Sequence, residues 1–80
     1  MKVYVVLSDS IINGHSSHGL HGVYVDKEQA KVTAISMITS TANVSVDDIH
    51  IEDDDDQLEL FYNQNEIDIV VSCIRQSVQA

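Results

Sequence analysis

The chain has 80 residues, thirteen acids against four bases for a net charge of −9, and a 44% hydrophobic content. A chain this short makes one domain, residues 1–80, burying about 60–65% of its unfolded surface, and its apolar content excludes wholesale disorder. Positive charge is too scarce for direct binding to a phosphate backbone, and no apolar run approaches the roughly 18–20 residues of a membrane span.

The single cysteine, Cys73, excludes an internal disulfide and suits a reducing compartment. Met1-Lys2 is followed by a short apolar run that breaks at Ser8-Asp9 without a small-residue cleavage site, so no secretory leader is expected. A cytoplasmic location is expected.

Val3 to Leu7 is a run of β-formers with no polar residue, which predicts a central strand covered on both faces. Ser8 to Gly22 holds all three glycines and His15, His18 and His21, and reads as a long polar loop, with a short strand near Ile11-Ile12 as the one extended piece it offers. Val23-Tyr24-Val25 resumes strand character, and a hairpin with an extended loop is the simplest join. Asp26 is a good helix N-cap with Gln29 three residues on, so a helix is predicted from about Lys27 to Thr41. Ala30, Ala34, Met37, Ile38 and Thr41 form its apolar stripe, and Asn43 is its stop. Ile49 and Ile51 alternate with charged neighbours, Asp53 to Asp56 turn the chain, and Leu58, Leu60 and Tyr62 alternate again: a second hairpin.

The last segment fits two patterns. Ile67, Ile69, Val71 and Cys73 alternate as in a strand; Ile67, Val70, Val71, Ile74 and Val78 form a helical stripe. Asn65 as N-cap, Glu66 and Asp68 in the first turn and Arg75 in the last favour the helix. The expected order is ββαββα, or ββαββ without that helix. Either gives an α+β fold, a four-stranded antiparallel sheet with one or two helices packed on one face.

The charge is unevenly placed. Residues 1–31 hold three acids and three bases, whereas residues 32–74 hold ten acids and no Lys or Arg. Such asymmetry predicts a negative face that repels nucleic acid and attracts basic protein surfaces; plain solubility is the alternative. The candidate partner-binding residues are Asp47, Asp48, Glu52, Asp53, Asp54, Asp55, Asp56 and Glu59. The aspartate run lacks the glycine and distal glutamate of a calcium loop, and a charged hairpin tip also discourages edge aggregation.

His15, His18 and His21, spaced His-x-x-His-x-x-His, offer an alternative zinc site, although no Cys or His pair elsewhere stands at ligand spacing. No nucleophile elbow or phosphate loop is present, and exposed aspartates lack the burial that separates catalytic pKa values. The chain is expected to be no enzyme, to need no cofactor, and to have no catalytic residues.

Met1-Lys2-Val3-Tyr4-Val5-Val6 and Gly22-Val23-Tyr24-Val25-Asp26-Lys27-Glu28-Gln29-Ala30 resemble small uncharacterised phage and bacterial domains. In these, a strand, a loop and a second strand ending Gly-Val-Tyr lead into a helix beginning Lys-Glu-x-Ala. By size, element order and acidity the chain also resembles phage-encoded anti-CRISPR and other anti-defence proteins. That resemblance implies an inhibitor of a host defence complex, sometimes a nucleic-acid mimic occupying a basic channel; no residue carries over from it. A homodimeric structural module is the remaining alternative, since so small a core gains from added burial.

Overall fold

The extended run that starts at Val3 does not stop at Ser8. In the computed structural model, which describes residues 2–55 and 57–78, strand β1 spans Lys2–Ile12 and strand β2 spans His15–Tyr24. They are joined by Asn13 and Gly14, whose φ angles are 51° and 85°. Asn-Gly is the preferred pair for a two-residue hairpin turn because both positions need positive φ, and the twist of that turn matches the strands. The long loop expected over Ser8–Gly22 is thus corrected to two hairpin arms. Their register runs from Ile12 opposite His15 to Tyr4 opposite Tyr24. Glycine, serine and histidine are poor or indifferent strand formers, but a sheet position depends more on pairing than on intrinsic preference. One bulge interrupts the ladder: Val6 opposes Gly22 and Leu7 opposes Leu20, so His21 is the extra residue.

Helix α1 spans Lys27–Ala42. The Asp26 side chain caps it by accepting from the Glu28 amide at 3.0 Å. It ends at Asn43 in the left-handed region, the Asn43 amide donating to the Thr39 carbonyl. Ala30, Ala34 and Ile38 are fully buried, while Met37 and Ile35 are half-buried against the core and Val32 is exposed. The small alanines let the helix sit close to the sheet.

A short 3-10 turn, Val46–Asp48, leads into strands β3 (His50–Asp53), β4 (Gln57–Gln64) and β5 (Ile67–Ser77). The sheet has five strands in the order β2-β1-β5-β4-β3, every pair antiparallel. The expected four-stranded sheet with one or two helices, ββαββα or ββαββ, is therefore corrected to five strands and one α-helix among the described residues. The terminal segment is the central strand, bonded to β1 along its whole length and to β4 along most of it. Asn65 is no N-cap; Asn65 and Glu66, at φ 53° and 64°, form the tight turn from β4. End charges contribute about 0.3–1 kcal/mol each to a helix. Two ladders of backbone bonds, and the packing of Ile67, Ile69, Val71 and Cys73 on one face, outweigh them. The β-branched residues of this segment also favour the pleated form.

The helix leaves one edge of the sheet at β2 and returns the chain to the other edge at β3, so it crosses one face only. Its buried residues meet Val6, Leu58, Leu60, Tyr62, Ile69, Val71 and Cys73, with Ile49 closing the end of the core. Sixteen helical residues span about 24 Å, whereas the eleven of β1 span about 37 Å. The far end of the β1–β2 hairpin extends past the helix, and residues 13–20 are all exposed. Among the described residues no helix is long and apolar enough to cross a membrane.

Candidate functional site

Strand alternation sends half of each strand toward α1 and half away from it. On the side away from the helix no other element of the described chain covers the sheet. The expectation that β1 is covered on both faces is corrected accordingly: Val6 is fully buried, but its neighbour Leu7 is 37% exposed.

The register fixes the layout of this open face row by row. In one row Leu20, Leu7, Ser72, Glu59 and Glu52 lie side by side across all five strands. In the next row the neighbours are His18, Asp9, Val70, Phe61 and His50. The His50 and Phe61 rings meet at 5.9 Å between centroids, tilted by 41°. On one flank Val23, Val5 and Ile74 are adjacent; on the other, Ile11 is opposite Asp68. The result is an apolar centre built mainly on β1 and β5, with a shallow groove between Leu7, Leu20 and Val70. Asp68, Glu59 and Glu52 stand around it, and Asp9 lines the groove itself.

Two of these acids stand in a costly arrangement. Glu52 and Glu59 are direct cross-strand partners, and like charges placed directly opposite are destabilising. Among the described residues the one base near them is the His50 ring, whose Nε2 is 3.3 Å from a Glu52 oxygen. All four Lys and Arg residues lie on the other side. Lys2 and Arg75 share the parity of the helix-facing residues Val6 of β1 and Cys73 of β5, and Lys27 and Lys31 stand on α1. Among the described residues the open face therefore carries four carboxylates and no Lys or Arg.

The aspartate tip is arranged differently. Asp53, at the end of β3, faces the helix. The Lys27 ammonium donates to Asp53 Oδ1 at 2.5 Å and to the Asp54 carbonyl at 3.0 Å, while Lys31 lies 3.9 Å from the other Asp53 oxygen. The hydrogen bond from Lys27 holds the Asp53 carboxyl below its ordinary range and raises the Lys27 ammonium in turn. Asp54 Oδ1 accepts from the Asp55 amide at 2.8 Å, a local turn contact. Asp47 and Asp48 lie in the 3-10 turn at the other end of β3, and Asp56 falls outside the described residues. Of the eight acids singled out by the sequence, the structure places Glu52 and Glu59 together on the open face, ties Asp53 to the helix, and separates Asp47 and Asp48 from the tip.

Asp9 and Asp68 are not among the acids that the charge run singles out, because Asp9 stands in the segment that reads as a loop and Asp68 in the first turn of the helix that the end charges favour. The available signal was alternation: Val5, Leu7, Asp9 and Ile11 share one side of β1.

The three histidines of β2 do not converge. A three-residue spacing on a strand reverses the face, so His18, opposite Asp9, points away from His15, opposite Ile12. His21 sits at the bulge and shares a hydrogen bond with the Ser8 hydroxyl. Among the described residues no group of three or more His, Cys, Asp or Glu side chains is placed to hold a metal ion.

Cys73 is fully buried, its Sγ 3.8 Å from the Ala30 carbonyl, and burial pushes the thiol up from its ordinary value. Reactivity requires the thiolate, so this cysteine is a packing residue.

Comparison with known protein families, curated proteins and solved structures found no match to this chain. The surface described above is therefore read on its own chemistry.

Proposed function

We propose that the protein is a non-enzymatic binding protein whose open sheet face docks on a basic, nucleic-acid-binding protein surface in the cytoplasm. A phage-encoded inhibitor of a host defence complex, anti-CRISPR or another anti-defence type, would work this way. The observation that carries the reading is the Glu52–Glu59 pair. Two carboxylates held side by side on a face without Lys or Arg cost stability in the free protein, and a Lys or Arg of a partner would relieve that cost. The apolar centre beside them supplies the desolvated contact that charge alone does not, since electrostatics contributes chiefly association rate and selectivity. Carboxylates spaced along a sheet present a partner's basic groove with the charge sign of a phosphate backbone.

The test is capture of basic nucleic-acid-binding proteins from a bacterial lysate at low and high salt, with single-stranded nucleic acid as competitor. The expected result is capture that weakens with salt and is reversed by the competitor. It should be lost in the variant combining Asp9→Asn, Glu52→Gln, Glu59→Gln and Asp68→Asn. Capture by that variant equal to wild type, with the same salt dependence, would remove the proposal.

A further inference from the structure

The two edges of the sheet are protected to very different degrees. Edge strands expose unpaired amide and carbonyl groups, and natural sheets guard them by shortness, charge, proline or cover. Strand β3 is guarded: four residues long, it contains Glu52 and Asp53 and is flanked by Asp47, Asp48, Asp54 and Asp55. Strand β2, on the opposite edge, is ten residues long and contains no Asp, Glu, Lys, Arg or Pro. Its one irregularity is the bulge at His21, so His15–Leu20 remains a regular exposed stretch. The apolar rows of the open face also end abruptly there, with Leu20 62% and Val23 56% exposed.

From this asymmetry we infer that β2 pairs edge to edge with β2 of a second copy of this chain, antiparallel, to make a ten-stranded sheet. This inference is independent of the binding proposal.

The occupant follows from charge. A chain of net charge −9 tolerates a second copy only where the acids stay apart. Stacking two open faces would bring Asp9, Asp68, Glu52 and Glu59 of both copies to about 10 Å, the spacing of packed sheets. Pairing at β3 would set acid against acid directly. Pairing at β2 instead places the two β3 strands nine strand spacings apart, roughly 43 Å, several times the Debye length of about 8 Å at physiological salt. Antiparallel pairing is also self-complementary, so each backbone bond formed occurs twice about the two-fold axis. That axis stands perpendicular to the sheet. Both helices lie on one side and both open faces on the other, forming one doubled, acid-rimmed surface.

Sedimentation velocity of the full chain across a concentration series tests the association, and amide hydrogen exchange locates it. The expected result is a concentration-dependent species of twice 8.9 kDa, with alternate amides of residues 15–20 gaining protection as it forms. Replacing Ser16→Lys and His18→Lys together sets like charges across the seam and should raise the dissociation constant by at least about tenfold. The far-edge change Glu52→Gln should leave it within a factor of about two, since the acids lie beyond screening range. A monomer at every concentration, or a dimer whose residues 15–20 gain no protection, would overturn the inference. So would a folded Lys variant, verified by circular dichroism, that dimerises like wild type. Exchange on the wild-type chain decides the matter if that variant does not fold. Loss of lysate capture with dimerisation intact would count against the binding proposal alone.

Discussion

Strand β4 has two unlike sides. Toward α1 it sets Leu58, Leu60 and Tyr62 into the core at 0–5% exposure; away from it, Glu59 and Phe61 reach the surface. Strand β1 repeats the contrast with Val6 against Leu7, and β5 with Val71 against Val70. The same backbone ladders hold both faces, so hydrogen bonding cannot distinguish them. Cover does: one face has Ala30, Ala34 and Ile38 above it, and the other has no element of the described chain over it. The uncovered face nevertheless keeps Leu7, Leu20 and Val23 at the surface, beside its carboxylates.

The sharpest way to break this contrast is to shorten one leucine on each side. Leu60→Ala should cost about 2–5 kcal/mol, because it empties a fully packed site. Leu20→Ser, measured in dilute protein, should stay within about 0.5 kcal/mol. Urea denaturation reads both; an equal cost would mean that the open face is covered in solution.

The covered face can also be probed by its thiol. Cys73 should resist alkylation in the native state by a factor on the order of a thousand or more, reacting only when the domain opens globally. Rapid native labelling would show that α1 lifts off the sheet.

On the open face, Glu59→Gln removes one of two like charges and should raise stability by about 0.2–1 kcal/mol while weakening partner capture. A loss of stability would indicate that the pair is compensated within the chain.

The smallest expected effect is the pH response of the Asp53–Lys27 contact, which joins the tip to the covered side. Asp53 has a folded-state value below the ordinary 3.8, so its contribution is present above pH 3.8 and is lost as pH falls through the lower folded value. Lys27 is raised from 10.5, so its contribution is present below pH 10.5 and is lost as pH rises through the higher folded value. Asp53→Asn should flatten both limbs of a plot of melting temperature against pH. An unchanged plot would place the contact at no energetic consequence.

Some of the candidate surface was legible in the residues. Glu52 and Glu59 stand at alternating positions on opposite sides of a turn, and that spacing already faces both the same way. Asp53 did not announce its role, because its partners Lys27 and Lys31 are more than twenty residues away and nothing local links them. Val5, Leu7 and Val70 read as core, since a composition of β-formers records burial potential but not the number of covered faces.

The sequence alone determined the elements governed by neighbouring residues. The helix between Asp26 and Asn43 follows from its caps, and the alternation of Leu58, Leu60 and Tyr62 from a period of two; the Asn13-Gly14 turn signal is hidden by the polar, histidine-rich residues around it, which read as a loop. The tertiary structure decided the rest. Ile67–Ser77 became the central strand because two neighbouring ladders outweigh end charges that suit a helix. His15–Tyr24 became a strand because β1 supplies its bonds, and the bases gathered on one side because the helix crosses only that face. Contacts between residues far apart in the chain act cooperatively, and no local preference of about 1 kcal/mol withstands them.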